Sequence, residues 1–237
     1  MRTSDQTSAA GPTIGTRLIS ERLNSDFCFQ ETGETKLYDF SRAPNPRRVK
    51  IYLAEKSITV PTEQVDLGAM QQKSAAYTAI NPLQRVPALV LDDGTVIAES
   101  IAICRYFEAL NPLPAMFGVG AVEQALVEMW NRRIEQNLFF PISQVFRHLH
   151  PAMKETEVPQ VASWGEANKP RVAAFLPILE RQLESGPFVC GARYSVADIT
   201  ALVAIDFMKP AKLAVPPEHT NIAKWHAEVS ARPSAKA

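Results

Sequence analysis

The sequence contains few cysteines and no excess of one charge. Cys28, Cys104 and Cys190 are far apart and odd in number, which argues against a disulfide framework and against a thiolate metal site. Lysine plus arginine equals aspartate plus glutamate, at 25 each, and long blocks of one sign are absent. The chain therefore lacks the charge pattern of a protein that binds nucleic acid or an anionic membrane. We expect its partners to be small molecules or another subunit.

Long apolar runs are also missing. No run approaches the roughly 20 residues that a helix needs to cross a bilayer, and the N-terminus lacks the apolar core of a secretory signal. We therefore expect a cytoplasmic protein. His148 and His150 do not suggest a metal site, because residues two apart on a helix point to different faces and no Cys or third His lies nearby.

The first 35 residues differ in composition from the rest. They are rich in Ser, Thr, Ala and Gly, and we expect residues 1–35 to be an N-terminal extension that is mostly disordered. A transit peptide is the alternative, but such peptides are poor in acids. This stretch contains five acids, namely Asp5, Glu21, Asp26, Glu31 and Glu34.

The clearest motif lies between residues 86 and 100. Asp93-Gly94 separates two runs rich in Val, Leu and Ile, and this pattern predicts a β-hairpin because Gly tolerates the positive φ of tight turns. Pro87 opens the first strand, where a missing amide donor is tolerated. Bonds that precede proline adopt the cis form far more readily than others. We expect a cis Val86-Pro87 bond that presents the backbone groups of Val86 outward.

Glu99 and Ser100 stand where the next helix is predicted to begin. The helix should run through Leu110 and end at Asn111-Pro112. Free amide protons and the positive end of the helix dipole suit a carboxylate, while Glu99 would pair with an ammonium group. The pair therefore fits an amino-acid head group. The simpler interpretation is that Ser100 only caps the helix and Glu99 is an ordinary first-turn acid.

The other elements of the first half complete a recognisable order. Residues 36–40 and 59–65 are rich in β-forming residues, and 46–56 form a predicted helix between them. A short helix over 74–80 then precedes the hairpin and its helix. The resulting order, βαβαββα, is that of an α/β thioredoxin-like domain, which we assign to residues 36–115.

The second half lacks β signals and is predicted to be an all-helical bundle over residues 120–237. A stretch with two prolines and two glycines, 111–120, suits an interdomain linker. Ser195 and Asp198 have the spacing of a capping box and should start a buried helix. The predicted helices cover 121–150 with a kink at Pro141, 170–183, 195–208 and 221–231.

These motifs and their order resemble the bacterial cytosolic-type glutathione S-transferases, from about Lys36 to the C-terminus. The resemblance implies glutathione as co-substrate in the first domain, an electrophile pocket facing the second domain, and a homodimer. It assigns glutathione binding to Gln72, Arg85, Val86, Pro87, Glu99 and Ser100. The pocket residues that we expect are Trp130, Arg133, Phe139 and Phe140.

The predicted catalytic loop departs from the family pattern. Ala43 occupies the position at which serine-type members, and the nu-like class with its threonine, have a hydroxyl group. Asp39 falls near the position of the phenol in tyrosine-type members. The loop also has no cysteine. Asn45 matches the loop asparagine of the nu-like class, so we expect it to activate the thiol, with Ser41 as the reserve donor. The alternative is that Asn45 simply caps the helix that starts at Pro46.

Two arginines follow in the first turn of that helix. The helix dipole disfavours positive charge there, so one of them is expected to face an anion such as a glutathione carboxylate. For Arg48 we favour an ordinary solvated position.

Three functions remain open at this point. The first is a transferase in which the glutathione thiolate attacks a small hydrophobic electrophile. The second is a glutathione-dependent disulfide reductase or peroxidase of the nu-like type. The third is a non-catalytic binding or interaction protein that keeps the fold, an option raised by the missing hydroxyl at Ala43.

Overall fold

A computed structural model of the chain describes residues 34–237. Cys28 and all but the last two residues of the predicted N-terminal extension lie outside the described residues. Cys104 is fully buried in the core. Within residues 34–237, no helix combines the length and the apolar character that crossing a membrane would require.

Residues 34–115, the described part of the first half, form a four-stranded sheet with three α-helices. The order of the strands across the sheet is β2-β1-β3-β4, with β1 parallel to β2 and the other two pairs antiparallel. This is the predicted thioredoxin-like arrangement. Its elements are β1 (Lys36–Asp39), α1 (Pro44–Glu55), β2 (Thr62–Gln64), a 3₁₀ turn (Gln71–Lys73), α2 (Ala75–Ile80), β3 (Ala88–Val90), β4 (Val96–Ala98) and α3 (Ser100–Leu110).

The hairpin forms where Asp93-Gly94 predicts it. The Leu91 amide donates to the Thr95 carbonyl over 2.9 Å, and the Gly94 amide donates back to the Leu91 carbonyl over 2.9 Å. Gly94 has φ of 80°, a conformation that residues with a Cβ rarely adopt. The Asp93 carboxylate also accepts from the Thr95 amide over 2.8 Å. The Val86-Pro87 bond is cis, as predicted.

The second half is helical, as expected, with five helices. Its elements are α4 (Gly120–Ile134), a π-helical turn (Glu135–Phe139), α5 (Phe140–Leu149), a 3₁₀ turn (Pro151–Met153), α6 (Ala162–Gln182), a 3₁₀ turn (Leu183–Ser185), α7 (Val196–Met208), α8 (Thr220–Ser230) and a 3₁₀ turn (Pro233–Lys236).

Two prolines in this half affect the helices differently from the prediction. The kink expected at Pro141 takes the form of the π turn just before it, because the proline ring cannot accommodate the carbonyl four residues earlier in a regular helix. Pro170 was expected to begin a helix, since proline is favoured in a first turn. Instead it lies inside α6.

The capping box at the start of α7 is present. Asp198 is fully buried, and its Oδ2 accepts from the Ser195 amide and hydroxyl, each over 3.0 Å. Its Oδ1 accepts from the Val189 amide over 2.8 Å and from the Trp225 indole over 3.0 Å. Burial raises the pKa of Asp198 to about 6, against the opposing effect of these hydrogen bonds. This carboxyl group therefore joins α7, the preceding loop and α8.

The two halves share one hydrophobic core. A single apolar cluster includes Leu37 and Leu89 of the sheet, Ile103 of α3, and Ile134 and Leu202 of the helical half. Because the same buried surface belongs to both halves, each depends on the other for part of its burial.

The connection between the halves is fixed by a buried lysine. Lys56 Nζ lies 2.5 Å from the Glu108 carboxylate and donates to the carbonyls of Asn111 and Pro114 over 2.7 and 2.6 Å. Tyr52 donates its hydroxyl to the same carboxylate over 2.5 Å. All the donors of the buried ammonium group are thus satisfied within the connection.

The last residues of the chain fold back on α1. The Arg232 guanidinium binds both oxygens of Glu55 over 2.8 and 2.7 Å, and the Ser234 hydroxyl donates to the same carboxylate. Near the other end of α1, Arg47 donates to the Ala235 carbonyl over 3.2 Å. The C-terminal segment is therefore tied to both ends of this helix.

Candidate glutathione and thiol site

The sheet brings two loops together at one end of its central strands. Tyr38 near the end of β1 pairs with Ala88 at the start of β3, so the loop after β1 lies beside the residues that precede β3. Phe40 and Ala43 of that loop pack against a small buried cluster that contains Val86. The predicted catalytic loop and the cis-proline loop therefore lie side by side.

The residue before Val86 is fixed by hydrogen bonds, while the backbone groups of Val86 itself are not hydrogen-bonded within residues 34–237. The carbonyl of Arg85 accepts from the Tyr77 hydroxyl over 2.7 Å and from the side-chain NH₂ group of Asn81 over 2.8 Å. The N–H and C=O of Val86, by contrast, make no backbone hydrogen bond within the described residues. An extended peptide could therefore pair with Val86 as an added strand does.

The start of α3 differs from the capping interpretation. Glu99, not Ser100, is the N-cap, and its side chain makes no capping bond. Its backbone has φ of 70° and ψ of 120°, a conformation that costs a non-glycine residue on the order of 1–3 kcal/mol. Ser100 is the first helical residue and is buried. Neither side chain has a hydrogen-bond partner in residues 34–237.

Free amides surround this pair. The first backbone bond at this end runs from the Ile103 amide to the Glu99 carbonyl over 3.0 Å, so the three preceding amides have no intrahelical acceptor. Together with the dipole they favour a carboxylate. The exposed Glu99 carboxylate beside them favours an ammonium group.

Gln72 supplies a further polar group. It lies in the 3₁₀ turn before α2, is 7% exposed, and its Oε1 has no partner in the described chain. A buried acceptor without a donor costs about 1–3 kcal/mol. An amide N–H of a peptide ligand would satisfy this oxygen.

Arg85 connects this region electrostatically to the helical half. Partial burial lowers the pKa of its guanidinium, the Arg147 cation lowers it further, and the carboxylates of Glu157 and Glu99 oppose the shift. Arg147 is itself paired with Glu157 over 2.6 Å. A charged pair formed by the last turn of α5 and the segment after it therefore acts on the cis-proline loop.

The catalytic loop also begins its helix earlier than predicted. The N-cap of α1 is Ala43 and the first helical residue is Pro44, so the interpretation of Asn45 as a cap is wrong. This helix end is also poor in backbone donors, because Pro44 and Pro46 have no N–H. Of residues 44–46, Asn45 alone can offer a backbone amide, and its exposed side chain adds an NH₂ group.

The other loop residues occupy distinct positions. Ser41 is exposed, and its amide donates to the Gln64 side chain over 3.1 Å. Asp39 is buried, while Tyr38 points to the other face of the sheet and packs edge-on against Tyr77 at 5.9 Å between centroids. Neither a tyrosine phenol nor a cysteine thiol is thus available in this loop.

The two arginines of α1 are both paired with protein groups. Arg48 is 1% exposed, so the expectation of a solvated side chain is wrong; it bonds Glu135 over 3.0 Å and Thr200 over 3.0 Å. Arg47 does face an anion, but the anion is Asp206 at 2.6 Å rather than a ligand carboxylate. Sequence reasoning missed these partners, because they lie far along the chain from α1.

The four predicted pocket residues have different surroundings. Trp130 and Arg133, with the guanidinium 4.9 Å from the indole, line a groove of about 600 Å³ against α6. Phe139 is buried with the Arg48 guanidinium over its ring at 5.3 Å. Phe140 is 47% exposed. A shared role for them in one pocket remains a prediction.

His148 near the end of α5 and His150 just after it both accept hydrogen bonds from the backbone. His148 Nδ1 accepts from the Val161 amide over 3.1 Å, and His150 Nδ1 accepts from the Ala152 amide over 3.2 Å. In the part of the chain that the structure describes, no three Cys, His, Asp or Glu side chains are grouped to hold a metal ion.

Comparison with known proteins identifies the family. The N-terminal domain model of glutathione S-transferases matches residues 43–110, and the C-terminal domain model matches residues 143–233. Glutathione S-transferase 2 of Saccharomyces cerevisiae is 34% identical over 203 residues, which cover 84% of this chain and 87% of that protein. The chain belongs to the glutathione S-transferase family. The predicted family, its fold and the assignment as a transferase enzyme are thereby confirmed.

Solved structures agree with this membership. The crystal structure of Gtt2 from Saccharomyces cerevisiae aligns with this transferase at a TM-score of 0.81 and 34% identity, covering 85% of this chain and 98% of that one. A glutathione S-transferase domain-containing protein of Marinobacter aquaeolei has the same TM-score at 35% identity, covering 84% and 98%. A rat relative named maleylacetoacetate isomerase is 32% identical over 174 residues, covering 71% of this transferase and 76% of the relative.

Proposed function

We propose that this transferase binds glutathione along the cis-proline loop and uses its thiolate to attack a small hydrophobic electrophile. In this proposal the cysteinyl part pairs with the backbone of Val86, between Arg85 and Pro87. The γ-glutamyl carboxylate binds Ser100 and the free amides of α3, while its ammonium group binds Glu99. Gln72 accepts from an amide of the ligand.

Glu99 carries this proposal. A residue with a Cβ is held at positive φ, its carboxylate is exposed and unpaired in the described chain, and free amides follow it immediately. Backbone strain of this kind persists where the surrounding structure imposes it, and it is concentrated at ligand sites. An amino-acid head group supplies both the cation and the anion that this arrangement suits.

Activation of the thiol is assigned to Asn45. Its backbone amide and side-chain NH₂ are the donors at the start of α1, and Ser41 is the reserve. Lowering a thiol pKa by one unit requires about 1.4 kcal/mol of differential stabilisation. One well-placed donor near a helix N-terminus can supply that much without a hydroxyl group.

Other reactions of the same thiolate remain candidates. Reduction of a disulfide would use the same bound thiolate and the same donors. Isomerisation is a further candidate because one relative is named maleylacetoacetate isomerase, and reversible addition of a thiolate to a conjugated double bond permits rotation about it. The non-catalytic alternative requires that the bound thiol is not activated.

A two-part experiment tests the proposal. Purified protein is titrated with glutathione by calorimetry, and the ultraviolet absorbance of the bound thiolate is followed against pH in wild type and Asn45→Ala. We expect a bound-thiol pKa below that of free glutathione and a higher value in Asn45→Ala at similar affinity. Binding with an unshifted thiol pKa would favour the non-catalytic alternative.

The same protein is then assayed with an aryl halide, a hydroxyethyl disulfide and a conjugated enone. Turnover of the aryl halide supports conjugation of a hydrophobic electrophile. Turnover of the disulfide alone would replace it with the reductase function. Cis–trans conversion of the enone without net glutathione consumption would indicate isomerisation.

A homodimer and a cytoplasmic role in detoxification complete the proposal. The homodimer follows from membership of the family, and isologous dimers are the commonest oligomers. Light scattering that gives the mass of one chain would contradict it.

A further inference from the structure

The orientation of the Asn45 amide is fixed by its neighbour Arg48. Arg48 Nη1 donates to Asn45 Oδ1 over 3.2 Å, and a guanidinium group can only donate. The oxygen of the Asn45 amide therefore faces Arg48. Its NH₂ group, on the other branch of the same planar amide, is left for a partner outside the described chain.

Arg48 is in turn held by the helical half of the molecule. Its guanidinium bonds Glu135 of the π turn and Thr200 of α7, each over 3.0 Å, and lies over the Phe139 ring. Thr200 also donates to Asn131 of α4 over 2.6 Å. A residue of α1 is thus anchored by two elements of the other half, and a third, α4, holds Thr200.

Few acceptors hold this buried guanidinium. Arg48 Nε and Asn131 Nδ2 are buried without an acceptor within residues 34–237. Among the described residues, the acceptors of Arg48 are the Glu135 carboxylate, the Thr200 hydroxyl and the Asn45 oxygen. Removal of one of the first two would therefore free the guanidinium to reorient, because partly satisfied polar clusters are sensitive to single changes.

We propose that Arg48 is a positioning residue, held by Glu135 and Thr200, that keeps the Asn45 NH₂ group directed at the glutathione thiol. This inference rests on the proposed activation of the thiol by Asn45. An exposed asparagine otherwise samples several rotamers, and a donor that is already oriented stabilises an anion better than one that must be ordered first. Residues of the helical half thereby control the thiol without contacting it.

The test uses Glu135→Ala and Thr200→Val. In both variants the bound thiol should have a pKa about half a unit to one unit higher, which means about three- to tenfold less thiolate below that pKa. The kcat should fall by the same factor, with little change in glutathione affinity. In Glu135→Gln an amide oxygen can still accept from Arg48, so part of the effect should be rescued.

The sign of the effect separates positioning from a direct charge effect. Removing a carboxylate near a thiol lowers the thiol pKa, because a negative charge disfavours the thiolate. A higher pKa in Glu135→Ala is therefore the signature of a misplaced donor. Glu128→Ala is the matched control, since Glu128 is paired with Arg132 and Arg105 nearby and has no bond to Arg48. It should leave the thiol pKa unchanged.

A double-mutant cycle completes the test. If Glu135 acts through Asn45, then Asn45→Ala combined with Glu135→Ala should be no worse than Asn45→Ala alone. Additive effects, or an unchanged or lower thiol pKa in folded Glu135→Ala and Thr200→Val, would overturn the positioning role while Asn45 keeps its own. If Asn45→Ala itself leaves the pKa unchanged, both the proposed activation and this inference fail. Melting temperatures identify variants that are not folded.

Discussion

Glu99 combines an unfavourable backbone conformation with a carboxylate that has no partner in the described part of the chain. At φ of 70° and ψ of 120°, a glycine would be far less strained than glutamate. The glutamate therefore lowers the stability of the fold at this position, and the proposed contact with the ammonium group of glutathione raises binding affinity in return. The two effects can be separated because they depend on different atoms of one residue.

We predict that Glu99→Gly raises the melting temperature while glutathione binding weakens. Relief of the backbone strain should stabilise the fold by on the order of 1 kcal/mol. Loss of the charged partner should cost about 1.5–3 kcal/mol of binding, or roughly ten- to 150-fold in Kd. Thermal unfolding and calorimetry measure the two effects. Glu99→Ala is the control: it should bind as weakly without the gain in stability, and equal melting temperatures for the two variants would contradict the strain argument.

At the scale of elements, several hydrogen bonds meet at the start of α7 in an otherwise apolar environment. Four donors from three segments meet on the Asp198 carboxyl group. Its role is therefore to hold α7 and α8 in place rather than to take part in chemistry. The site proposed for glutathione lies in the other half of the chain.

For Asp198→Ala we expect a large loss of stability with little loss of activity per folded molecule. The substitution leaves the Val189 amide and the Trp225 indole without acceptors, and each such buried donor costs about 1–3 kcal/mol. Denaturant unfolding and active-site titration would measure the two quantities. A loss below about 1 kcal/mol, the usual value of a cap, would mean that these bonds are dispensable.

The same carboxyl group predicts a pH dependence. Its pKa is raised to about 6 in the folded chain, so the folded state retains the proton at a pH at which the unfolded state has lost it. The stability that this group contributes should therefore be complete below about pH 4 and fall as pH rises to about 6, by up to about 3 kcal/mol. The stability difference between wild type and Asp198→Asn isolates this group, since asparagine does not titrate. A pH-independent difference would contradict the shift.

Elements whose signals are local were predictable from the sequence. The hairpin turn at Gly94, the capping box at Ser195 and the position of Pro87 each depend on a few adjacent residues. The cap of α1 was misassigned because two prolines, at 44 and 46, offer alternative first positions for one helix. The burial of Arg48 could not be predicted, since its partners lie 87 and 152 residues away and no local pattern specifies them.

At the scale of the whole molecule, the shared core and the fixed connection should prevent the two halves from unfolding independently. The sequence division into domains at 36–115 and 120–237 remains a prediction about boundaries. The apolar cluster runs through both parts, and Lys56 holds the connection from inside. Cooperativity should therefore extend over both halves.

We predict a single calorimetric unfolding transition, with equal calorimetric and van't Hoff enthalpies. Lys56→Met should lower the melting temperature without splitting the transition, because it leaves the partly buried Glu108 carboxylate without its cation, and breaking a buried pair typically costs about 3–5 kcal/mol. Two transitions, in either protein, would show that the halves unfold separately.

The attachment of the final residues to α1 has a practical consequence for anyone who produces this protein. An affinity tag fused after residue 237 would be separated by only two residues from Ala235, whose carbonyl is bonded to Arg47. Pulling that segment away would loosen the helix that carries Asn45, and a tagged preparation would be measured as a poorer catalyst than the protein itself. Purification through the opposite terminus, or removal of the tag before assay, avoids an artefact that would otherwise be mistaken for weak intrinsic activity.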